Sequence, residues 1–548
     1  MNEEPAASRA FWLWALALCL PPALIPNYNH DLFWHLMDAR WLWAHRGLPL
    51  ADPFSWTKAG APWVDFEWLW ELSVGAFWHL GGMRGLMVLK FLYIAASAWA
   101  MARLLACRGL KTPWLAAGLA LWAAQMLPRC GLSPDLISLL FYTAAFLLLE
   151  SRLDAPRAGP LLLTLLLFAL WSQAHAAFIM GLALFPCYLA ADWLARDFTA
   201  AKAKLLGLGA ALLGSLCNPY GAGPYRVLLL HLRRASAMTR FIREWSPMPI
   251  RDPLYWPFWA ALALLLALGA LAAARKTPWR KIPWSLAFAA GPLALCSLRH
   301  ARFSAYFIAP ACLLAGALAQ ELFPDADGRR SRRLAGGFLA ALSAFLLCVL
   351  PRLQWDTSFR GPDLPRAAAR FMSSQRPEVA ALRLYHPWEW GGYLGWKLRP
   401  WFKVFGDGRY IFHEQHAQAE DAFASPKTWQ DYLRHEGADA ALLPNVDILL
   451  KSVRRYPDGR TKDFQRPWFV FYMPRPRWAL VYWDEKDLFF VRRGAAPAAW
   501  IAAHDYRYLH PRDQAAFDDA LRRGEINLPE LRREEARHAA EFRAYGGP

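Results

Sequence analysis

The hydrophobic pattern divides the chain into a long apolar part and a polar C-terminal third. A helix that crosses the hydrocarbon core of a bilayer needs about 20 predominantly apolar residues, and shorter runs are tolerated beside polar loops. The apolar runs therefore predict a polytopic α-helical membrane protein with about eleven transmembrane helices. The predicted spans are 10–26, 84–105, 113–128, 134–151, 159–174, 177–195, 203–217, 254–273, 282–298, 303–321 and 334–351.

Clusters of Lys and Arg follow the even-numbered spans. Cytoplasmic loops of membrane proteins are enriched in these residues. The clusters predict a cytoplasmic N-terminus, an exported first loop at 27–83, and export of everything after 352. We therefore expect a multi-pass protein of the cytoplasmic (inner) membrane with a periplasmic or extracytoplasmic C-terminal domain. The clusters are Arg103/Arg108/Lys111, Arg152/Arg157, Arg196/Lys202/Lys204, Arg275/Lys276/Arg280/Lys281 and Arg329/Arg330/Arg332/Arg333.

Residues 352–548 change character, which predicts a soluble α/β domain beyond a transmembrane domain at 1–351. Charged positions alternate there with short apolar runs that are typical of strands. The tail at 512–546 combines helical spacing with dense opposite charges, as a solvated surface helix does. Strand-like runs begin at Ala441, Phe469, Ala479 and Leu488, and helical stretches lie near 363–375 and 427–436.

Composition supports the membrane assignment. Hydrophobic residues make up 56% of the chain and charged residues 19%, whereas about a quarter of the residues in a typical soluble protein are charged. The formal charge of +18 does not indicate nucleic-acid binding, because the densest basic clusters are explained by topology. A cleaved signal peptide is the alternative for the first apolar run, although Pro21 and Pro22 favour an uncleaved span.

The first exported loop contains the most informative polar residues. Asp31 and His35 are four positions apart and would share one face of a helix. Ionisable residues beside a span are expensive to bury, so they are usually solvated or functional. The alternative is an amphipathic helix that lies in the lipid headgroups, with Trp34, Trp41 and Trp43 as anchors.

Further polar residues are predicted to reach the same exported side at the ends of later spans. Arg binds phosphate in a bidentate fork, so arginines on this side are candidates for binding an anionic lipid phosphate. Arg129, Arg299 and Arg302 adjoin span ends and are better candidates than the arginines of loop 218–253. Neutralisation of nearby acidic residues is the alternative role. Other polar residues on this side are Asp135, His175, Asn218 and Glu244.

Familiar catalytic motifs are absent from the sequence. It has no Walker loop, no Rossmann glycine pattern, no His-Glu-x-x-His and no Gly-x-Ser-x-Gly. The eight Cys residues have no metal-ligand spacing and are predicted to act as small apolar side chains. Gly391-Gly392 predicts a turn or bulge, and Asp407-Gly408-Arg409 predicts a hairpin turn.

The ordered set of motifs resembles the C-type glycosyltransferase (GT-C) superfamily, and more closely a poorly characterised bacterial polytopic membrane-protein family of that design. The resemblance runs from residue 31 to 409. Where the expected pattern has Asn and a Gly pair around the fourth-motif His, this chain has Gln173, Ala176 and Ala177. The matching segments are Asp31-Leu-Phe-Trp-His-Leu36, Asp52-Pro-Phe-Ser55, Glu67-Trp-Leu69, Trp171-Ser-Gln-Ala-His175, Asn218-Pro-Tyr-Gly221, Glu244-Trp245, Trp390-Gly-Gly-Tyr-Leu394 and Asp407-Gly-Arg409.

The resemblance implies transfer of a sugar from a polyprenyl-phosphate-linked donor to a glycan, lipid or protein acceptor on the exported face. Asp31 would be the general base, or a ligand of a divalent metal (Mg or Mn) in the metal-dependent branches. Glu67 would be a second catalytic carboxylate, and His35 would orient Asp31 or a substrate hydroxyl. The substrate and phosphate contacts would come from Arg129, His175, Arg299, Arg302, Glu244 and Asn218.

Two other functional classes remain open from the sequence. A non-catalytic assembly or binding protein could keep the same fold and present residues 352–548 to a partner. A lipid or sugar transporter is the other class, although the spans show no paired Gly/Pro interruptions in corresponding halves.

Overall fold

The computed structural model describes residues 29–110, 112–241, 243–323 and 364–546, together with the single positions 337, 340 and 344. These residues are mostly helical, and they form two compact units. Within the described ranges, the first unit comprises 29, 38–48 and 64–323, and the second comprises 30–37, 49–63 and 364–546. The predicted boundary near 352 therefore misses two first-loop segments that belong to the second unit.

Helices of the first unit lie at nine of the predicted spans, while the span 10–26 lies outside the described residues and the span 334–351 is described only at 337, 340 and 344. The first helix, α1 (Leu32–His45), contributes residues to both units. The others are α2 (Trp68–Cys107), α3 (Thr112–Met126), α4 (Asp135–Ser151), α5 (Ala158–Trp171), α6 (Phe178–Leu182), α7 (Leu184–Ala195), α8 (Phe198–Leu216), α9 (Gly223–Phe241), α10 (Trp256–Ala274), α11 (Trp284–Arg299) and α12 (Ser304–Leu322).

Four segments of the described chain are long and apolar enough to cross a membrane, which supports membrane association. They are Trp68–Cys107, Phe178–Ala195, Pro253–Ala274 and Ala301–Leu322. The first of them changes direction at Gly81 and Gly82, whose φ values are −161° and 54°. The predicted span 84–105 begins just after this kink, so the residues before it form a helix within the predicted loop 27–83.

Small residues allow the helices of the first unit to pack closely. A Cβ on Gly214 of α8 would lie 2.2 Å from the backbone oxygen of Leu165 in α5. Such contact between helix backbones is typical of membrane helices, where small residues substitute for the missing hydrophobic driving force. Glycine at this position therefore explains how α5 and α8 lie side by side.

The second unit is the predicted α/β domain, built on a four-stranded sheet in the order β1–β2–β6–β5. Strands β1 and β2 are parallel, and the other pairs are antiparallel. A separate antiparallel hairpin is formed by β3 and β4. The strands are β1 (Leu384–Tyr385), β2 (Ala440–Pro444), β3 (Leu449–Arg455), β4 (Thr461–Pro467), β5 (Trp478–Trp483) and β6 (Asp487–Arg492).

Nine helices of the second unit follow residue 364. The helical predictions near 363–375, 427–436 and 512–546 are confirmed, the last as two helices. The strand predicted at Phe469 is wrong, because that apolar run forms a short helix. The helices are α13 (Arg366–Ser374), α14 (Arg376–Val379), α15 (Trp388–Leu398), α16 (His413–Ala422), α17 (Pro426–Glu436), α18 (Phe469–Tyr472), α19 (Ala498–His504), α20 (Gln514–Arg522) and α21 (Leu528–Tyr545).

The first-loop segment 49–63 packs into the second unit through backbone hydrogen bonds. Val404 N donates to Phe54 O at 3.0 Å, and Trp56 N donates to Val404 O at 3.0 Å. The indole of Trp56 also donates to Leu384 O in β1 at 3.3 Å. These bonds join residues more than three hundred positions apart and explain why the segment belongs to this unit.

Candidate functional site

Asp31 lies at the start of α1 in the second unit and is half-buried. Its Oδ1 accepts a hydrogen bond of 3.0 Å from the indole Nε1 of Trp34. Burial raises the pKa of Asp31 to about 6, the hydrogen bond from Trp34 opposes the rise, and the charge of Asp407 adds to it. A carboxyl group whose pKa lies this close to neutrality can accept a proton from a substrate and release it again.

Two glycines allow the backbone of the second unit to approach Asp31 and the start of α1. A Cβ on Gly408 would lie only 1.9 Å from Asp31 Oδ1, and a Cβ on Gly392 would lie 2.8 Å from the backbone N of Trp34. Neither distance is compatible with a side chain at these positions. Gly392 and Gly408, which belong to two motifs of the family resemblance, therefore leave room for Asp31 and the start of α1.

The conformations predicted for these two motifs are wrong. Gly391-Gly392 lies inside helix α15 and not in a turn. Asp407-Gly408-Arg409 is not the turn of a hairpin, because an isolated bridge at Val404 precedes it and a 3₁₀ helix (Tyr410–Phe412) follows it. Glycine at positions 392 and 408 is instead explained by close packing against Trp34 and Asp31, at the start of α1.

A buried ion triad holds the loop that contains Gly408. Arg409 donates from Nε and Nη2 to the two carboxylate oxygens of Asp407, each at 2.8 Å, and from Nη1 to Asp52 Oδ1 at 2.8 Å. All three side chains are at most 1% exposed. Asp52 also accepts hydrogen bonds from Ser55 Oγ at 2.5 Å and from Phe54 N at 3.1 Å. The Asp-Pro-Phe-Ser and Asp-Gly-Arg motifs therefore bind each other.

His35, the predicted partner of Asp31, is 1% exposed. Its backbone N donates to Asp31 O at 3.2 Å, and its ring lies against the Trp34 ring with centroids 3.6 Å apart. Because a buried ring cannot reach a substrate hydroxyl from solvent, His35 is better placed to support Trp34 than to touch a substrate.

The surroundings of Asp31 do not fit the metal-ligand role that the resemblance implies. In the described part of the chain, no group of three or more His, Cys, Asp or Glu side chains has a geometry that could hold a metal ion. Two carboxyl groups interact electrostatically with Asp31, those of Asp407 and Glu389, and both oxygens of Asp407 are engaged by Arg409. The described residues therefore give no support to a metal-ligand role for Asp31.

The predicted phosphate-binding residues Arg129 and Arg302 lie in the first unit, in one ionic network with Glu244. Arg129 forms ion pairs with Glu244 and with Asp135 at the start of α4. Arg302 Nη1 lies 3.7 Å from Glu244 Oε1, and its guanidinium stacks over the Trp245 ring at 4.6 Å. These ion pairs match the alternative role predicted for the two arginines, which is to neutralise nearby acidic residues.

His175 belongs to the same network through Ser138 and two carboxylates. Its Nδ1 lies 2.8 Å from Ser138 Oγ, which accepts a hydrogen bond of 2.8 Å from Trp171 Nε1. Its Nε2 lies 3.8 Å from Glu67 Oε1. Burial lowers the pKa of His175 to about 4, against the opposing charge of Asp135. At neutral pH the ring is therefore uncharged, and its Nδ1 can accept a hydrogen bond from the Ser138 hydroxyl.

Asn218 and Arg299, two predicted substrate-binding residues, do not take part in the ionic network of Arg129 and Glu244. Asn218 closes a turn: its Nδ2 donates to Ser215 O at 2.8 Å and to Gly221 O at 2.9 Å, and its Oδ1 accepts from Tyr220 N at 2.9 Å. Arg299 is exposed at the last position of α11. The first unit therefore brings together five of the predicted residues: Glu67, Arg129, His175, Glu244 and Arg302.

Sequence reasoning missed some of the residues that hold these sites together. The sequence indicates Asp135 only as a polar residue at a span end, and it predicts neither Ser138 nor the role of Gly408. Ser138 sits one helical turn after Asp135, so both side chains share one face of α4. That spacing was a usable signal for Ser138, whereas the contact of Gly408 with Asp31 has no local signature.

Comparison of the chain with protein-family models and with curated proteins finds no significant match to either.

Proposed function

We propose that this protein is a membrane glycosyltransferase that moves a sugar from a polyprenyl-phosphate-linked donor to an acceptor on the exported face. The proposal includes the eleven-span GT-C-like architecture and the orientation predicted from the basic loops. The observation that carries it is the carboxyl group of the half-buried Asp31, with its raised pKa and its close contact with Gly408. Such a group is suited to accept a proton at neutral pH.

In the proposed reaction, the oxygen of an acceptor hydroxyl attacks the anomeric carbon of the donor sugar. The hydroxyl proton passes to Asp31 as the new glycosidic bond forms. The bond between the anomeric carbon and the phosphate oxygen breaks, and its electron pair leaves with the polyprenyl phosphate. A single displacement of this kind inverts the anomeric configuration. No step requires an oxidant or a reductant.

The first unit offers guanidinium groups for the lipid phosphate. Arg302 is 22% exposed in its side chain and contacts Glu244 at 3.7 Å, which is longer than a hydrogen bond. A phosphate oxygen could replace that weak contact with a charge-assisted hydrogen bond. Arg129, 7% exposed and held by two carboxylates, would orient Glu244 and leave the direct phosphate contact to Arg302.

Replacement of Asp31 by Asn tests the proposal. We expect Asp31→Asn to lower the rate of sugar transfer by about 10²–10⁴-fold, the usual contribution of a general base, without lowering the amount of folded protein in the membrane. Asp447→Asn, at an exposed carboxylate of the second unit, is the matched control. Full complementation of a deletion strain by Asp31→Asn would show that Asp31 is not catalytic.

The pH dependence of the same reaction provides a second readout. A general base works only when deprotonated, so the rate should be level above the Asp31 pKa of about 6. Below that pH the rate should fall about tenfold per pH unit. This fall in rate at low pH should be absent from the residual activity of Asp31→Asn. If the variant showed the same fall, a group other than Asp31 would be responsible for it.

A non-catalytic assembly protein of the same fold is the second candidate. The double ion pairing of Arg129 favours it, because a neutralised arginine is a weaker phosphate ligand. In that case deletion of 352–548 should abolish function, while Asp31→Asn should have little effect. The two candidate functions therefore predict opposite results for Asp31→Asn, a large loss of function for the glycosyltransferase and little effect for the assembly protein.

A further inference from the structure

Helix α9 (Gly223–Phe241) of the first unit is rich in arginine and has no acidic residue. Its sequence contains Arg226, Arg233, Arg234 and Arg240 and has no Asp or Glu. The segment 218–253 that includes this helix is predicted to lie on the exported side, whereas the enrichment in Lys and Arg that sets orientation is found in cytoplasmic loops. Membrane orientation therefore does not explain these arginines.

The exposed face of α9 carries leucines beside two of the arginines. Arg226, Leu229 and Arg233 follow helical spacing, and Leu232 comes three positions after Leu229, so the four side chains share one face. Leu229 is 54% exposed and Leu232 is 70% exposed. The side chains of Arg226 and Arg233 are also exposed, and neither forms an ion pair with any residue that the structure describes. This face therefore offers both cations and apolar side chains to a partner.

The first turns of α9 are anchored to the rest of the first unit. The hydroxyl groups of Tyr225 and Ser215 share a hydrogen bond of 2.5 Å, and the Tyr225 ring packs edge-on against Phe178 with centroids 5.2 Å apart. Val227 is buried. The helix is therefore held in place, while the face with the arginines and leucines points away from these contacts.

Exposed apolar side chains continue before and after α9. The helix before it, α8, ends with Leu212, Leu213 and Leu216, all of them exposed. After it, Trp256 is exposed at the start of the segment Pro253–Ala274, which is long and apolar enough to cross a membrane. Trp is enriched where a membrane meets water. Helix α9 therefore lies in the chain between two segments whose exposed surfaces suit a bilayer.

The combination of cations and leucines indicates the chemistry of the partner. An amphipathic helix at a membrane surface buries its apolar side chains at the boundary between headgroups and acyl chains, and its basic side chains attract anionic lipids. A nucleic acid would leave Leu229 and Leu232 without an apolar partner, and a bilayer without net charge would leave the arginines without counter-charges. We propose that α9 lies in the headgroup layer and binds anionic phospholipids.

The test uses the full-length protein in bilayer discs of phosphatidylcholine and in discs of an equal mixture of phosphatidylcholine and phosphatidylglycerol. Hydrogen exchange of the amides of 223–241 is measured in both. We expect slower exchange in the mixed discs, by about fivefold for each arginine that reaches the anionic surface, and a smaller difference at high salt.

The double variant Arg226→Gln/Arg233→Gln should lose most of this difference between the two kinds of disc. Gln is a helix former of similar strength to Arg, so the helix itself should persist. Arg532→Gln/Arg533→Gln is the matched control, because it removes two exposed arginines from α21 in the second unit, and it should keep the full difference. Leu229→Ser/Leu232→Ser should speed exchange in both kinds of disc, through loss of the apolar contact.

Equal exchange in the two kinds of disc would overturn the inference, and so would equal effects of the two arginine double variants. Protection that appears only in discs with two copies of the protein would assign the face to self-association instead. The inference goes beyond the proposed function and does not rest on Asp31. Asp31→Asn should keep the full dependence on phosphatidylglycerol, so its loss of transfer activity would bear on the proposed function alone.

Discussion

Two arginine–carboxylate networks of this protein differ in how completely they are sealed. In the second unit, Arg409 binds Asp52 and Asp407 with side chains at most 1% exposed. In the first unit, Arg302 and Glu244 are 22% and 32% exposed and lie 3.7 Å apart. The closed network has no donor or space to offer a ligand, whereas the open one has both. Similar residue types therefore form a sealed structural contact in the second unit and, in the first unit, a partly exposed contact that fits the binding role we propose for it.

The largest effect is expected where the closed network loses its cation. Arg409→Met would leave the carboxylates of Asp52 and Asp407 buried without their common partner. Breaking a buried ion pair from one side costs about 3–5 kcal/mol, so the amount of folded protein and the thermal unfolding temperature should fall sharply. Arg434→Met is the control, since the Arg434–Asp431 pair is exposed and such pairs contribute about 0–1 kcal/mol. Equal stability of the two variants would contradict the structural role of the triad.

A smaller but more specific effect is expected from the loop that the triad holds. In Gly408→Ala, the new Cβ would overlap Asp31 Oδ1 at 1.9 Å, so the carboxyl must move. Displacement of a catalytic group by about 1 Å can cost about 10²-fold in rate. The turnover rate should therefore fall with little change in KM.

Gly159→Ala is the matched control for Gly408→Ala, because its Cβ would meet nothing within 4 Å. Combining Gly408→Ala with Asp31→Asn should add little further loss, since the displaced group is already inactive. A wild-type turnover rate in Gly408→Ala would separate the loop from the chemistry of Asp31. A fully additive double variant would point to a general structural defect.

The contrast between the networks also shows what the sequence could predict. Apolar runs placed the helices of the first unit, because hydrophobicity over about 20 residues is a local property. The strand at Ala441 and the tail helices were predicted from other local signals, a short apolar run and helical spacing with dense opposite charges. The Asp52–Arg409 bond joins residues 357 positions apart. The sequence therefore shows the Asp-Pro-Phe-Ser and Asp-Gly-Arg motifs but does not show that they contact each other. Phe469 began a helix despite its strand-like run, because four apolar residues do not distinguish a strand from a buried helical turn.

The smallest effect is expected in the open network. Arg302→Gln keeps a polar side chain but removes the charge beside Glu244, so it should weaken binding of polyprenyl phosphate about tenfold, as loss of a charge-assisted hydrogen bond does. Arg299→Gln is the matched control, because Arg299 is exposed at the end of α11. Binding of undecaprenyl phosphate to the purified protein, measured by native mass spectrometry, separates the two. If Arg299→Gln weakened binding and Arg302→Gln did not, the phosphate would be bound by the arginine outside the network, and the openness of the Arg302–Glu244 contact would have no role in recognition.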